Sequence, residues 1–393
     1  MQFDTWLKKK GLQSVNIEAA NFADTGRGVK ALYDIPAHSI LVKVPSNLIL
    51  TRDVVEQFHP GASSLTEHQA LALFLASHKH DTANFWFPFI NVLPQNFGTM
   101  AMFLAKEVRM LLQPETQADI ERQEHKMELD INAMMTKATS THARALSRTD
   151  LIWAWCAVNT RCLTLHTSTT KSRPMNRPNI AMMPFLDFLN HSHHASIEAG
   201  LDSEGSYVIK ILHPVAAQHQ VFINYGPHDN AFLLREYGFT MSDNLYDNAR
   251  LDNGYEKFRL TNEGIDDLRK TNEYLECEGY KGDYAVSVSH PISYRLLVSL
   301  RLRCLIAAEP LLHPRHHRAW RKTLFGETEM INLANEHEAI TAMSLIAIKA
   351  KDDVMKCLIQ ASTDERSALI RPILESTRLA LNACIDACGH YFD

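Results

Sequence analysis

Two short β-rich segments, separated by a long stretch with helical pattern, constrain the fold of this chain more than any other feature. The first lies within residues 29–51 and includes the β-branched run Ile40–Val44. The second spans residues 180–225, and its predicted strands are Tyr207–Ile211 and Gln220–Tyr225. Because each segment is too short to form a sheet alone, we expect the two to pack together into one discontinuous β core.

The remaining sequence has mostly helical periodicity. Thr66 and Gln69 are spaced as a capping box, which predicts a helix over residues 64–80. From about 103 to 165, charged and apolar residues alternate at helical spacing, and we interpret this region as a helical insertion. After about residue 255 the pattern is helical throughout.

The chain length predicts more than one hydrophobic core. At 393 residues the chain exceeds the usual size of a single core, and its 46% hydrophobic content supplies enough apolar side chains for two. The predicted fold class is therefore α+β: a core of small sheets with a helical insertion, followed by an all-helical C-terminal domain. The polar segment Thr167–Pro174 is predicted to be a surface loop.

Composition limits the classes of partner. A formal net charge of -5 argues against a general nucleic-acid binder, which needs an excess of Lys and Arg. Apolar runs such as Leu71–Ala76 are far shorter than the roughly 18 residues that cross a bilayer, so no membrane partner is expected. The N-terminus does not resemble a secretory signal. Seven cysteines without a CxxC pair fit a reducing compartment, the cytosol or the nucleus.

Two clusters of metal-binding residue types do not predict a metal site. Cys384 and Cys388 lie four residues apart, but two thiols without further ligands make a poor zinc site, and buried small side chains are the simpler interpretation. His193 and His194 follow His191 at spacings that match no familiar ligand arrangement. We therefore expect no bound metal.

A glycine-rich segment allows two interpretations. Residues 26–31 match the pattern G-x-G-x-x-A of dinucleotide-binding domains, but Pro36 interrupts an extended run where that fingerprint needs a helix. Gly26 and Gly28 therefore either let the backbone approach a ligand closely or simply form a turn. The segment alone does not decide between these alternatives.

Three polar or aromatic clusters are candidates for a site. Asp187–Ser192 ends an apolar run with hydrogen-bonding side chains, which could form a polar loop or a site. Tyr225 ends a predicted strand before a turn. Tyr237 lies twelve residues after it and is followed directly by a glycine. Each tyrosine is either a half-buried packing residue or a hydroxyl directed into a pocket, and spacing alone leaves both alternatives open.

Taken together, these motifs resemble SET-domain methyltransferases, specifically the subgroup typified by the Rubisco large-subunit methyltransferase. The resemblance covers most of the chain and is strongest over residues 180–240. Its motifs are Gly26–Gly28 followed by Asp34–Pro36 and Val44–Pro45, Phe85–Phe89 with Leu93–Pro94, Asp187–Ser192, Ile223–Pro227 with Asn230–Ala231, Tyr237–Phe239, and Asn335–Glu336.

The resemblance implies an enzyme that transfers a methyl group from S-adenosyl-L-methionine to a protein lysine. It implies a SET domain over residues 1–250 with a helical insertion at about 60–175, and a helical substrate-binding domain over 251–393. Tyr225 would be the catalytic residue, and Arg161, Asp187 and Tyr237 would bind substrate. The residues implied to bind the cofactor are Thr25, Gly26, Arg27, Arg161, Asn190, His191, Tyr225, Gly238 and Phe239.

The missing cysteine-rich zinc segment, which follows the SET core in many histone methyltransferases, favours a non-histone substrate. A ribosomal protein or a translation factor is a candidate partner, and a cytoplasmic, in part nuclear, monomer is expected. The Ser- and Thr-rich stretch after Arg161 makes the register of this arginine less firm than that of Asn190–His191. Two alternatives stay open: methylation of histidine, and an inactive SET fold that serves as a binding module.

Overall fold

The structure of the protein is a computed structural model that describes residues 3–138, 146–165, 179–309 and 313–393. The predicted loop Thr167–Pro174 falls outside the described residues. The chain forms two compact units. The first unit comprises Met1–Gly98 and Arg122–Pro227, and the second comprises Thr99–Glu121 and His228–Asp393.

The strands are short, from two to six residues each. They are β1 (Gln13–Ser14), β2 (Ile17–Phe22), β3 (Gly26–Ala31), β4 (Ile40–Val44), β5 (Leu163–Thr164), β6 (Ile180–Ala181), β7 (Asn190–His191), β8 (Ile197–Leu201), β9 (Tyr207–Ile211), β10 (Gln220–Ile223), β11 (Ala249–Arg250) and β12 (Ala285–Val286).

The helices vary widely in length. They are α1 (Phe3–Lys9), α2 (Arg52–Phe58), α3 (Glu67–His78), α4 (Phe87–Ile90), α5 (Lys106–Arg109), α6 (Pro114–Ala138), α7 (Arg148–Arg161), α8 (Asn230–Tyr237), α9 (Asp252–Lys257), α10 (Asp267–Cys277), α11 (Tyr294–Ala308), α12 (Pro314–Leu324), α13 (Leu333–Ser362) and α14 (Arg371–Gly389). No helix among the described residues is both long enough and apolar enough to span a lipid bilayer.

The first unit contains two four-stranded sheets, with strand orders β1-β4-β9-β8 and β2-β3-β10-β7. Each sheet combines strands that precede the helical insertion with strands that follow it. The prediction that the two β-rich segments pack together is therefore confirmed. In β9, Tyr207, Ile209 and Ile211 are buried and alternate with more exposed residues, as a half-buried strand requires. Strand β10 ends at Ile223, two residues before the predicted end at Tyr225.

Helix α3 begins where its capping box predicts. The Thr66 hydroxyl accepts a hydrogen bond from the Gln69 main chain at 3.2 Å, and the Gln69 side chain accepts one from the Thr66 main chain at 3.0 Å. Helices α6 and α7 are connected by a hydrogen bond, which the indole of Trp155 on α7 donates to Asp130 on α6 at 2.9 Å. The insertion is thus largely helical, as predicted, although its described part also contains the short strand β5.

The second unit is mainly helical and has its own core. Its helices α11, α13 and α14 bury Leu300, Ala347 and Leu381, among other apolar residues. Two arginines are buried in this core with carboxylate partners: Arg301 with Glu336 at 2.6 Å, and Arg303 with Glu263 at 2.6 Å. The predicted boundary near residue 250 remains a prediction, because the two units are defined by contacts and not by roles.

Candidate functional site

The two glycines of the first motif differ in role. Gly26 opens β3 after the turn from β2, and its φ of +68° lies in the left-handed region that favours glycine. Gly28 permits a close approach, because a Cβ atom there would lie 2.5 Å from Gln220 Oε1 and 2.9 Å from Asn190 Nδ2. The structure thus shows Gly26 in a turn and Gly28 packed closely against the side chains of Gln220 and Asn190, and the approach of this backbone to a ligand stays a prediction.

The side chains of Asn190 and Gln220 connect the glycine segment, residues 25–28, with strand β7. Asn190 lies on β7, which pairs in parallel with β10. Its Nδ2 donates to the Arg27 carbonyl at 3.1 Å and to Gln220 Oε1 at 2.8 Å. Gln220 Nε2 in turn donates to the Thr25 hydroxyl at 2.8 Å. Segments that are far apart in sequence are thereby joined in one network.

A buried carboxyl group lies beside two guanidinium groups. Asp187 lies two residues after Phe185, which adopts a left-handed φ of +75°. Arg161 Nη1 donates to the Asp187 carbonyl at 2.5 Å, and Arg27 Nη2 lies 3.8 Å from its carboxylate. Burial nevertheless outweighs the attraction of the two arginines and raises the pKa of Asp187 from 3.8 to about 6.

Some polar atoms of this cluster have no internal hydrogen bond. In the part of the chain that the structure describes, both carboxylate oxygens of Asp187 and the Nε of Arg161 are buried without a hydrogen-bond partner. Buried polar atoms are normally hydrogen-bonded, so such a donor and acceptor set points to a ligand that completes it. The cluster therefore suits a ligand with both donor and acceptor groups.

Arg27 is fixed by contacts on several sides. Its Nη1 donates to the Val92 carbonyl at 2.6 Å, and its guanidinium lies 4.0 Å from the centre of the Phe188 ring. Val92 belongs to the loop of the aromatic motif Phe85–Pro94, so that motif contributes a main-chain group to the cluster. Burial lowers the pKa of Arg27, and the nearby Asp187 carboxylate partly opposes this.

Tyr225 is held by both its main chain and its hydroxyl group. Its main-chain N–H donates to His191 Nδ1 at 3.0 Å, and its hydroxyl donates to the Leu189 carbonyl at 2.7 Å. The rings of Tyr225 and His191 stack with centroids 5.1 Å apart. Burial raises the pKa of Tyr225 to about 12, so the phenol stays protonated at neutral pH. A phenol oxygen that donates its proton can in general also accept a hydrogen bond.

Three predicted site residues belong to the second unit. Tyr237 is the last residue of α8, and its ring lies 6.2 Å from that of Phe239. Gly238 caps this helix with a φ of +81°, and a Cβ there would lie 3.0 Å from the Met100 main-chain nitrogen. Helix capping and close packing thus require a glycine at this position. The roles of these three residues in binding stay predictions.

In the first unit, the structure links Thr25, Arg27, Arg161, Asp187 and Asn190 in a chain of hydrogen bonds and charge contacts. His191 and Tyr225 form an adjoining stacked pair, and Gly26 lies in the same turn as Thr25. The cofactor, substrate and catalytic roles assigned to these residues remain predictions.

Sequence reasoning missed Gln220 and the carbonyl groups of Val92 and Leu189. A main-chain acceptor has no signature in sequence, and Gln220 looks like an ordinary polar residue at the start of a strand. Within residues 3–138, 146–165, 179–309 and 313–393, no three His, Cys, Asp or Glu side chains are grouped so as to hold a metal ion.

Comparison with known proteins gives a consistent family. Residues 26–226 match the model of the SET domain. The human SET domain-containing protein 4 is 30% identical over 390 residues, which is 94% of this chain and 85% of that protein. The ribosomal lysine N-methyltransferase set11 of Schizosaccharomyces pombe is 26% identical over 78% of this chain and 75% of its own length.

The chain is also similar to a histidine methyltransferase and to a solved structure. The actin-histidine N-methyltransferase of Danio rerio is 27% identical over 93% of this chain and 62% of its own length. The structure of Rubisco LSMT bound to sinefungin and monomethyllysine is similar with a TM-score of 0.75, covering 99% of this chain and 91% of that one. At 19% sequence identity this likeness concerns the fold, and it confirms the predicted fold class.

Proposed function

Because this chain belongs to the SET-domain family and is a protein methyltransferase that uses S-adenosyl-L-methionine, we propose that it methylates a lysine side chain of a non-histone protein. The observation that carries the proposal is the linked set of Arg161, Asp187 and Asn190, with Tyr225 in the adjoining stacked pair, all within the matched region. The resemblance assigns cofactor, substrate and catalytic roles to these residues, and the fold brings the segments that carry them together.

The cluster fits the cofactor on its own chemistry. The amino-acid end of S-adenosyl-L-methionine carries an ammonium donor and a carboxylate acceptor. Arg161 offers a buried Nε without a hydrogen-bond partner among the described residues, and Asp187 offers two such oxygens. Thr25 and Gly26 lie in the turn beside these groups, and Asn190 is bonded to the Arg27 carbonyl. These residues would hold the cofactor or the main chain of the substrate.

Tyr225 is suited to the transfer step because its hydroxyl is neutral. When bound, S-adenosyl-L-methionine supplies a methyl group on a positively charged sulfur. The Tyr225 oxygen, whose proton is donated to the Leu189 carbonyl, can orient the methyl C–H groups and the acceptor amine. A raised pKa keeps the phenol uncharged, so it does not stabilise the ammonium form of the acceptor as a phenolate would.

A lysine acceptor must lose a proton before it reacts. With an ordinary pKa near 10.4, about one lysine in a thousand is neutral at pH 7.4, which is equivalent to roughly 4 kcal/mol. Alignment of the reacting atoms and exclusion of water lower this barrier. The stacked rings of Tyr225 and His191 supply an aromatic surface next to the hydroxyl, which favours a neutral amine.

Histidine is the second candidate acceptor, because an actin-histidine N-methyltransferase is among the relatives. The two acceptors differ in their ordinary pKa, near 6.5 for imidazole and near 10.4 for lysine. For lysine we therefore expect kcat/KM to rise as the pH increases from 7 to 9. A rate that is level above about pH 7.5 would favour histidine.

We further propose a reducing compartment, cytosol or nucleus, as the place of action. All seven cysteines are free thiols in the structure, including the buried Cys156, Cys304, Cys384 and Cys388. Free, buried thiols persist where the cell keeps cysteine reduced. Imaging of a tagged full-length chain would test this assignment, and accumulation in a secretory compartment would contradict it.

The acceptor is identified by labelling. The protein is incubated with S-adenosyl-L-methionine carrying a labelled methyl group and with lysate from cells lacking its gene, and the modified residue is mapped by mass spectrometry. We expect labelled lysine on a protein other than a histone. Label on histidine or on a histone would overturn the proposal, and label that persists with an Asn190→Ala variant at limiting cofactor would contradict the assigned site.

A further inference from the structure

Gln220 lies at the start of β10 and contacts both segments of the proposed cofactor site. Its Oε1 accepts a hydrogen bond from Asn190 Nδ2 at 2.8 Å and lies 3.0 Å from the Thr25 hydroxyl. Its Nε2 lies 2.8 Å from the same hydroxyl and donates to it. A single side chain thus connects the turn before β3 with the asparagine of β7.

The direction of these hydrogen bonds follows from one main-chain group. The Arg27 carbonyl can only accept, so the atom of Asn190 that contacts it at 3.1 Å must be the donor Nδ2. The second proton of Nδ2 then points to Gln220, whose facing atom must be the acceptor Oε1. Both protons of the Asn190 amide are therefore used inside the protein.

This arrangement leaves the Oδ1 of Asn190 as the polar atom available to a ligand. It accepts no hydrogen bond from the residues that the structure describes, and Asn190 is only partly buried. An oxygen acceptor suits the ammonium group of the cofactor. An asparagine amide that turned over by 180° would instead present Nδ2, a donor, to that cation and would repel it.

We propose that Gln220 is a positioning residue, which together with the Arg27 carbonyl fixes the amide of Asn190 so that Oδ1 faces the ammonium group of S-adenosyl-L-methionine. The inference rests on the proposed function, because it assigns a cause to cofactor binding at the same site. The contact between Gln220 and Asn190 also requires a glycine at position 28. A Cβ atom at this position would lie 2.5 Å from Gln220 Oε1 and would separate the two amides.

Two substitutions of Gln220 distinguish positioning from simple packing. Gln220→Met keeps the size of the side chain but removes its acceptor, so we expect calorimetry to show about 10-fold weaker binding of S-adenosyl-L-methionine. Gln220→Glu keeps an acceptor for Asn190 and for the Thr25 hydroxyl, so its affinity should stay within about 3-fold of wild type. A packing role predicts the opposite order, with Met tolerated and Glu harmful.

A second variant and a spectroscopic readout protect the test against loss of folding. Gly28→Ala should weaken binding of the cofactor without a substitution at Gln220, because the added Cβ would displace Gln220 Oε1 from Asn190. In the free protein, the side-chain amide resonances of Asn190 should shift in Gln220→Met and stay close to wild type in Gln220→Glu. Gln13→Met, an exposed strand residue of the same unit, is the matched control and should bind like wild type.

The outcomes separate this inference from the proposed function. If wild type binds S-adenosyl-L-methionine and Gln220→Met binds it equally well, the role of Gln220 is refuted and the proposed function stands. If wild type binds none, both are refuted. At saturating cofactor, Gln220→Met should recover a kcat close to that of wild type, whereas an unrecovered kcat would show that Gln220 acts on the transfer step itself.

Discussion

Asp187→Asn should stabilise the protein at neutral pH while impairing its function. The carboxyl side chain is 1% exposed, and neither oxygen has a hydrogen-bond partner among the described residues. Burial raises its pKa from 3.8 to about 6, a difference that corresponds to about 3 kcal/mol of unfavourable free energy for the ionised form. An amide of the same shape avoids this term.

The sign of the pH dependence follows from the raised pKa. Between pH 3.8 and about 6 the folded protein binds more protons at Asp187 than the unfolded chain, so stability falls as the pH rises through this window. The free energy of unfolding of Asp187→Asn should therefore exceed that of wild type by about 3 kcal/mol at pH 8 and by about half of that at pH 5. The variant should also bind substrate or cofactor more weakly, because it replaces an acceptor-only group.

Urea unfolding of wild type and variant at pH 5 and pH 8 measures this difference. Asp130→Asn is the matched control. Burial raises the pKa of Asp130, but hydrogen bonds from Lys126, Trp155 and Gln69 together outweigh it and lower the pKa, so the ionised form of this carboxyl stabilises the folded protein. This control should be destabilised by a similar amount at both pH values. If Asp187→Asn is no more stable than wild type at pH 8, the ionised carboxylate does not destabilise the folded protein and the reasoning from its burial is refuted.

The remaining predictions concern stability. Glu336→Ala leaves Arg301, whose side chain is 3% exposed, without its buried partner, so the free energy of unfolding should fall by about 3–5 kcal/mol in urea titration; a loss below about 1 kcal/mol would contradict the account. Gly238→Ala should destabilise more than Gly326→Ala, because both glycines have positive φ but a Cβ at Gly326 meets nothing within 4 Å. Equal effects of the two would rule out the close contact at Gly238. Thr66→Ala should lower stability by about 1 kcal/mol through loss of the capping box, measured in the same way.

Much of the secondary structure could be predicted because it rests on local chemistry. Ile40–Val44 and Tyr207–Ile211 are strands over the predicted ranges, and the capping box at Thr66 gives the start of α3. Strand β2, Ile17–Phe22, was not predicted, since its polar and small residues show little alternation. Its pairing with β3 gives it an extended conformation that its own sequence does not indicate.

The site was predictable only in part, and for a clear physical reason. The motifs of the family resemblance singled out Asn190 and Tyr225 as candidate site residues, because both stand in short, recognisable sequence patterns. The Leu189 carbonyl that accepts from Tyr225, and the glutamine Gln220 that joins two segments, depend on tertiary pairing between strands. The raised pKa of Asp187 depends on burial, which no spacing rule reveals.

Tyr225→Phe tests the proposed transfer step most directly. The change removes one oxygen, which lies 2.7 Å from the Leu189 carbonyl, and keeps the ring that stacks on His191. Because we propose that the hydroxyl acts in the transition state, we expect kcat for the labelled protein acceptor to fall about 100-fold while calorimetric affinity for S-adenosyl-L-methionine stays close to wild type. A folded, cofactor-binding Tyr225→Phe variant that turns over at the wild-type rate would contradict the assignment of this tyrosine and the reaction proposed from it.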